Sequence, residues 1–209
     1  MPDILIFDLD NTIYPREKDL FSLLDRRINL YMSDVVGIPA GEVDALRRRY
    51  WADYGVTLGG LIRHYGVNPE DYLDFVHDVD ISVRLSADPE LSESLARCPQ
   101  RKVIFTNAPS CHASRVLHCL GVESHFERIF DIRVASYLPK PYPQPYRSVL
   151  KKLDTDPHQC VMVEDSLENL ETAKKLGMGT IWVGEGDVPP FVDIRVSRAA
   201  EVSGRLGYC

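Results

Sequence analysis

Two carboxylates separated by one residue stand directly behind a short apolar run, in Asp3-Ile4-Leu5-Ile6-Phe7-Asp8-Leu9-Asp10-Asn11-Thr12. Side chains two apart on an extended chain project to the same side, so Asp8 and Asp10 face one site. Carboxylates that close repel unless a cation or a shared proton offsets their charge. The same residues also make good turn and cap chemistry, and this stretch alone does not choose between the two. Groups further along the chain do. Thr106-Asn107 follow the apolar run Lys102-Val103-Ile104-Phe105, Glu164-Asp165 follow Cys160-Val161-Met162-Val163, and Lys140 lies between Pro139 and Pro141. A hard cation such as Mg²⁺ takes oxygen ligands in octahedral geometry, uses one or two carboxylates, and leaves the rest to water and substrate phosphate. A remaining carboxylate can then attack phosphorus, splitting a hydrolysis into formation and breakdown of an aspartyl-phosphate. Thr106 and Lys140 would hold the phosphoryl oxygens and meet the charge that develops on them. The chemistry these residue types suit is phosphoryl transfer.

Short continuous apolar runs read as strands buried on both faces, as in parallel sheets. Open α/β sheets bind ligands beyond the carboxyl ends of their strands, where all three polar pairs stand. From Ala87 onward helix and strand alternate. Helices run through Leu91 and Leu95, through Val116 and Leu120, through Tyr146 and Leu150, and up to Leu176. Strands are expected at Lys102–Phe105, Ile129–Val134, Cys160–Val163 and Thr180–Val183, with one more strand and helix in the tail after Val192. Such alternation implies right-handed crossovers and helices on both faces of a parallel sheet. Between the first strand and Ala87 the pattern is helical. Leu20, Leu24, Ile28, Tyr31 and Val35 form one stripe, Val43, Leu46 and Tyr50 a second, and Leu58 to Tyr65 a third. Tyr72, Phe75, Val76 and Val79 form a fourth, behind the start signal Asn68-Pro69. The expected architecture is α/β, with a Rossmann-like parallel-sheet core from residues 1–15 and 87–209 and a four-helix cap inserted at 16–86.

The 209 residues carry a formal charge of −7, which gives no support for binding a nucleic-acid polymer or a membrane surface, both of which want a basic face. No apolar stretch is long enough to span a bilayer, and the first strand begins without a signal-peptide pattern ahead of it. The five cysteines, Cys98, Cys111, Cys119, Cys160 and Cys209, are odd in number and lack a C-x-x-C pair, which suits reduced thiols in the cytoplasm. The six histidines lack ligand spacing, so no zinc site is expected. Oligomeric state leaves no signature.

The ordered set Asp8-Leu9-Asp10-Asn11-Thr12, Thr106, Lys140 and Glu164-Asp165 resembles the haloacid dehalogenase (HAD) superfamily, with the helical stretch at the position of its C1-type cap. The resemblance implies Asp8 as nucleophile and metal ligand. It implies Asp10 as the acid that protonates the leaving oxygen, then as the base that activates water, with its backbone carbonyl on the metal. Thr106 and Lys140 would bind the phosphoryl group, Lys140 also keeping Asp8 ionised. Asp165 would complete the Mg²⁺ site with Glu164 as a candidate neighbour, and Asn169 stands where the family often has a second acid. An alkoxide leaving group needs a proton and a halide does not, so Asp10 favours a phosphatase or phosphomutase over a dehalogenase.

Three finer stretches resemble the pyrimidine 5′-nucleotidase group. They are Ile13-Tyr14-Pro15 after Asp-Asn-Thr, then Tyr54-Gly55-Val56-Thr57-Leu58-Gly59-Gly60-Leu61, then His77-Asp78-Val79-Asp80. They imply a small phosphate ester as substrate, a nucleoside 5′-monophosphate with pyrimidines preferred. Asn107 is a candidate phosphate donor or a turn residue. Among the cap aromatics Tyr14, Tyr50, Trp51 and Tyr54, Tyr54 is the first candidate to stack on a base. Arg47-Arg48-Arg49, Arg63 and His64 are secondary candidates for anion steering. The rival readings are a phosphatase for phosphoglycolate or a sugar phosphate, a phosphomutase, a non-catalytic phospho-ligand-binding module, and a receiver-like signalling domain. Asp10 and Lys140 speak against the binding module, Asp10 and the helical insertion against the receiver.

Overall fold

A computed structural model describes residues 2–207 of the chain. Six parallel strands form one sheet: β1 (Ile4–Phe7), β2 (Arg101–Phe105), β3 (Arg128–Phe130), β4 (Cys160–Glu164), β5 (Gly179–Val183) and β6 (Ile194–Val196), in the spatial order β3-β2-β1-β4-β5-β6. That order reverses direction between β1 and β4, which places the switch point where β1 delivers Asp8 and β4 delivers Glu164. Alternate strand residues point to opposite faces. Leu5, Phe7, Ile104, Val163 and Ile181 pack on one side against α5 (Pro89–Arg97) and α6 (Ser110–Leu120), with α9 (Val202–Arg205) at the end. Ile4, Ile6, Val103, Phe105 and Met162 pack on the other side against α7 (Pro143–Leu153) and α8 (Leu167–Lys175).

Between β1 and α5 lie α1 (Phe21–Leu30), α2 (Ala40–Tyr54), α3 (Thr57–Tyr65) and α4 (Pro69–His77). They surround an apolar cluster of their own, built on Leu24, Met32, Val43, Tyr50, Leu61, Tyr72 and Val76, to which Ile132 adds one side chain from beyond the insertion. The local signals act as their chemistry dictates. Asn68 Oδ1 accepts the Glu70 amide at 2.9 Å to start α4, and Asp88 Oδ1 accepts that of Leu91 at 3.0 Å to start α5. Gly66 and Gly121 end α3 and α6 in the left-handed conformation, at φ +63° and +72°.

Two elements differ from the sequence expectation. The stripe from Leu20 predicts Val35 inside, but a π-helical turn at Tyr31–Val35 widens the helix after α1. That turn shifts the phase, burying Met32 and leaving Val35 on the surface. The expected strand at Ile129–Val134 stops at Phe130. Asp131 turns the chain by accepting the amides of Arg133 at 3.0 Å and Ser110 at 2.9 Å, and a 3₁₀ turn follows at Ile132–Ala135. Cys98, Cys111, Cys119 and Cys160 are free, and Cys209 lies outside the described residues.

Candidate active site

The carboxyl ends of β1, β2 and β4 line a cavity of about 490 Å³ between the sheet and the helical insertion. Parallel register brings Phe7 level with Ile104 and Val163, so Asp8 emerges beside Phe105 and Glu164. Asp8 is pinned by its own amide, donated to Val163 O at 2.9 Å. The chain then doubles back. Ile13 N–H reaches Leu9 O at 2.9 Å, and Asn11 takes the left-handed φ of +62° that asparagine tolerates. The turn keeps Asp10 on the cavity wall and buries Thr12 beneath it. The Thr12 hydroxyl oxygen accepts the Asp165 amide at 3.1 Å, tying the first strand's turn to the fourth strand's end.

Lys140 is the centre of the site's charge. Its buried Nζ donates to Asp8 Oδ1 at 2.6 Å, to Glu164 Oε2 at 2.8 Å and to the Phe105 carbonyl at 2.8 Å, which uses all three ammonium hydrogens. Burial would lower its pKa, but the charges of Asp8 and Glu164 and the hydrogen bonds to both outweigh burial and raise it. The lysine stays an ammonium. Asn107 sets its position. The Asn107 side-chain oxygen accepts the Lys140 amide at 2.8 Å, and its side-chain nitrogen donates to the Lys140 carbonyl at 3.2 Å. Thr106 is buried, and its hydroxyl oxygen accepts the Ala108 amide at 3.0 Å, which leaves the hydroxyl hydrogen for an acceptor in the cavity.

Carboxylate oxygens of Asp8, Glu164 and Asp165 lie within 4.8 Å of one another. Burial, then the Glu164 charge, pushes Asp8 up to about 7 against the pull of Lys140. Burial pushes Glu164 up to about 7, and burial with the Asp8 charge pushes Asp165 up to about 6. Three carboxylates share one ammonium, so the cluster favours a further positive charge. Hard oxygen donors without nitrogen or sulfur suit a cation such as Mg²⁺. Glu164 is the least available of the three, because Lys140 takes Oε2 and the Ser166 amide donates to Oε1 at 3.2 Å.

Asp10 sits in a different setting. Its Oδ1 accepts the Tyr14 hydroxyl at 2.5 Å and lies 3.3 Å from His112 Nε2. Burial would raise its pKa, but the hydrogen bond and charge of His112, then the Tyr14 hydroxyl, outweigh burial and lower it.

A second cavity of about 340 Å³ adjoins the first, with Asp10, Phe21, Trp51 and Asn107 lining both. Leu24, Ile28, Leu58, Val76 and Ile132 make its wall apolar. Trp51 is 66% exposed and stands at the join. Tyr54 is elsewhere. Its hydroxyl bonds His64 Nε2 at 2.8 Å, its ring lies against His64 and Tyr50, and it lines neither cavity. The reason is local, since Tyr54 is the last residue of α2 and its hydroxyl is held by His64 of α3. Arg47 lines the second cavity but is committed to Asp25 and, at 2.7 Å, to Asn29 Oδ1. Asn169 lines the first cavity.

The sequence alone assigns His112 no role, and it offers Thr12 only within its motif and Tyr14 only as a motif residue and a base-stacking ring. His112 carried one signal, a polar residue on the apolar stripe of α6 that includes Ala113, Val116 and Leu120. For Tyr14 and Thr12 the motifs did not show the contacts they make, because the turn after Asp10 closes both.

Strand order, the ends of β1, β2 and β4, and the buried lysine together define a class. Residues 2–177 match the family described as haloacid dehalogenase-like hydrolase, and the chain belongs to that family. It is 24% identical over 193 residues to Phosphate metabolism protein 8 of Saccharomyces cerevisiae, a match covering 85% of this chain and 60% of that protein's length. It is 28% identical over 206 residues to a phosphoglycolate phosphatase of Rhodospirillum rubrum, covering 89% of this chain and 81% of that one. In fold it resembles CbbY from Rhodobacter sphaeroides, solved in complex with phosphate, at a TM-score of 0.68 and 21% identity, covering 100% of this chain and 99% of that one.

Proposed function

We propose that this chain is a Mg²⁺-dependent phosphomonoester hydrolase that works through an aspartyl-phosphate on Asp8, with nucleoside 5′-monophosphates as its substrates and pyrimidines preferred. The observation that carries the hydrolase reading is the buried Lys140 ammonium, held between Asp8 and Glu164 at the floor of the first cavity. Its charge and hydrogen bond oppose the burial that raises Asp8, favouring the anion that a nucleophile requires. Asp8 attacks phosphorus, the Thr106 hydroxyl donates to a phosphoryl oxygen, and the Lys140 charge offsets the charge developing there. Asp10 takes up a proton when the substrate dianion enters beside it, and gives that proton to the leaving oxygen. Asp10, now a carboxylate, takes a proton from water as the water oxygen bonds to phosphorus and frees Asp8. Asp8 and Asp165 would hold the cation, with Glu164 beside them. When bound, the cation supplies Lewis-acid polarisation and charge neutralisation at the phosphoryl group.

The paired cavities support a nucleotide. A phosphate fills the polar chamber, and an apolar ring fills the second, where Trp51 offers a stacking face. Closure of the insertion over the substrate would exclude bulk water from the phosphoenzyme. The Rhodospirillum relative favours phosphoglycolate as a second reading. A small dianion would leave the apolar chamber empty, however, and Arg47, which lines that chamber, has both terminal nitrogens on Asp25 and Asn29. Four free cysteines among the described residues suit a reducing cytoplasm, and no helix there is long and apolar enough to cross a membrane.

Phosphate release with Mg²⁺ across CMP, UMP, AMP, phosphoglycolate and glucose 1-phosphate tests the proposal, with Asp8→Asn and EDTA as controls. CMP and UMP should lead, and both controls should abolish release. A lead for phosphoglycolate replaces the substrate reading. Binding without turnover of any ester, indifferent to EDTA, replaces the hydrolase.

A further inference from the structure

We propose that His112 is a positioning residue for Asp10: with the Tyr14 hydroxyl it holds one carboxyl oxygen, Oδ1, so that the other, Oδ2, is the oxygen that exchanges the proton. The inference rests on the acid–base role of Asp10 given above. A free carboxyl rotates about its Cβ–Cγ bond and presents either oxygen. Here Tyr14 at 2.5 Å and His112 Nε2 at 3.3 Å both reach Oδ1. Two donors on one oxygen stop the rotation and leave no place on it for a transferable proton. The proton therefore rides on Oδ2. It passes to the bridging oxygen as the P–O bond breaks, and Oδ2 accepts one back from the attacking water.

Both donors are built to stay. His112 is 0% exposed and Tyr14 is 1% exposed, so neither can turn out into water. His112 is closed in from the far side by His77, the last residue of α4, with ring centroids 4.9 Å apart. His77 is itself anchored, its Nδ1 donating to Leu73 O at 2.9 Å. Arg115, one turn along α6 from His112, donates to the His77 and Val79 carbonyls. Packing alone does not account for an imidazole here. Its Nδ1 is buried with no hydrogen-bond partner among the described residues, a cost that leucine or phenylalanine on the same apolar stripe would avoid. The ring's one directed contact is the acid.

The test compares leaving groups. An alkyl phosphate such as CMP needs a proton on the departing oxygen, whereas p-nitrophenolate leaves without one. Wild type, His112→Ala, His112→Gln, Tyr14→Phe and Asp10→Asn would be followed in single turnovers on both esters. In His112→Ala, formation of the phosphoenzyme from CMP should slow by about tenfold or more, with KM changed by less than about twofold. The p-nitrophenolate burst should keep its rate, while the steady state behind it slows because hydrolysis of the phosphoenzyme still needs the base. His112→Gln should recover much of the loss, since its amide N–H can take the place of Nε2, and Tyr14→Phe should show the same split by leaving group. Equal losses on the two esters, or no loss on either, would overturn the positioning role. Should His112→Ala not fold, His112→Gln and Tyr14→Phe decide by the same criterion. An unimpaired Asp10→Asn would sink the acid–base reading itself, whereas an inactive Asp10→Asn beside an unimpaired His112→Ala sinks only this inference.

Discussion

Lys140 Nζ and Asp8 Oδ1 lie 2.6 Å apart with both side chains buried, and Glu164 completes the pair as a triad at 2.8 Å. Removing one member of a buried ion pair costs about 3–5 kcal/mol because the partner is left uncompensated. Lys140→Met leaves two such partners. The variant should be inactive and markedly less stable than wild type at pH 8. At pH 5.5 the deficit should shrink, since Asp8 and Glu164 can then be protonated. Chemical denaturation at the two pH values measures this; a deficit independent of pH would show that the lysine's packing matters more than its charge.

A bound cation and protons would compete for the same oxygens. Burial raises Asp8 from 3.8 to about 7 and Asp165 from 3.8 to about 6. A carboxyl with a raised folded-state value stabilises the fold fully below its unfolded value. That contribution is lost as pH rises through the folded one. The metal-free protein should therefore lose stability from about pH 4 to pH 7 on account of these groups. Mg²⁺ should restore more at pH 8 than at pH 5.5, because at pH 5.5 it must displace protons. Tm with and without Mg²⁺ across this range is the measurement, and Asp8→Asn should flatten both curves.

Asn107 holds the Lys140 backbone by both ends of its amide. Asn107→Ala should cost about 1–2 kcal/mol of stability for two lost hydrogen bonds. It should also lower kcat by about tenfold, as the lysine loses its aim. A rise in KM alone, with kcat and stability intact, would instead make Asn107 a direct phosphate donor.

Trp51 and Tyr54 are neighbours on one helix with different surroundings. Trp51→Ala should raise KM for CMP by about tenfold, toward the low end of the ~1–3 kcal/mol that a stacked base contributes. Stability should hardly change, because the indole is mostly in solvent. Tyr54→Phe breaks only the bond to His64 and should leave KM as it was. The reverse pattern in steady-state kinetics would return the stacking role to Tyr54.

The contrast between these two aromatics shows where the sequence is legible. Strand ends announce themselves, because an apolar run that stops at Asp8, Thr106 or Glu164 fixes both the element and its polar end. A sheet then has one edge on which to collect them. Helical stripes give a buried face but not which exposed residue overhangs a cavity, so Tyr54 stood ahead of Trp51 until α2 was placed. The π turn after α1 lay outside any stripe argument, since its extra residue changes the period itself. The grip of Tyr14 and His112 on Asp10 joins positions 4 and 102 residues away from it. Only the folded chain brings those together.

The apolar cluster inside the helical insertion draws all its buried side chains but Ile132 from the insertion itself. Foundation and aperture can therefore be altered separately. Substitutions at Phe21 or Trp51, which line both cavities and stand exposed, would reshape the chambers while leaving the buried side chains of the sheet untouched.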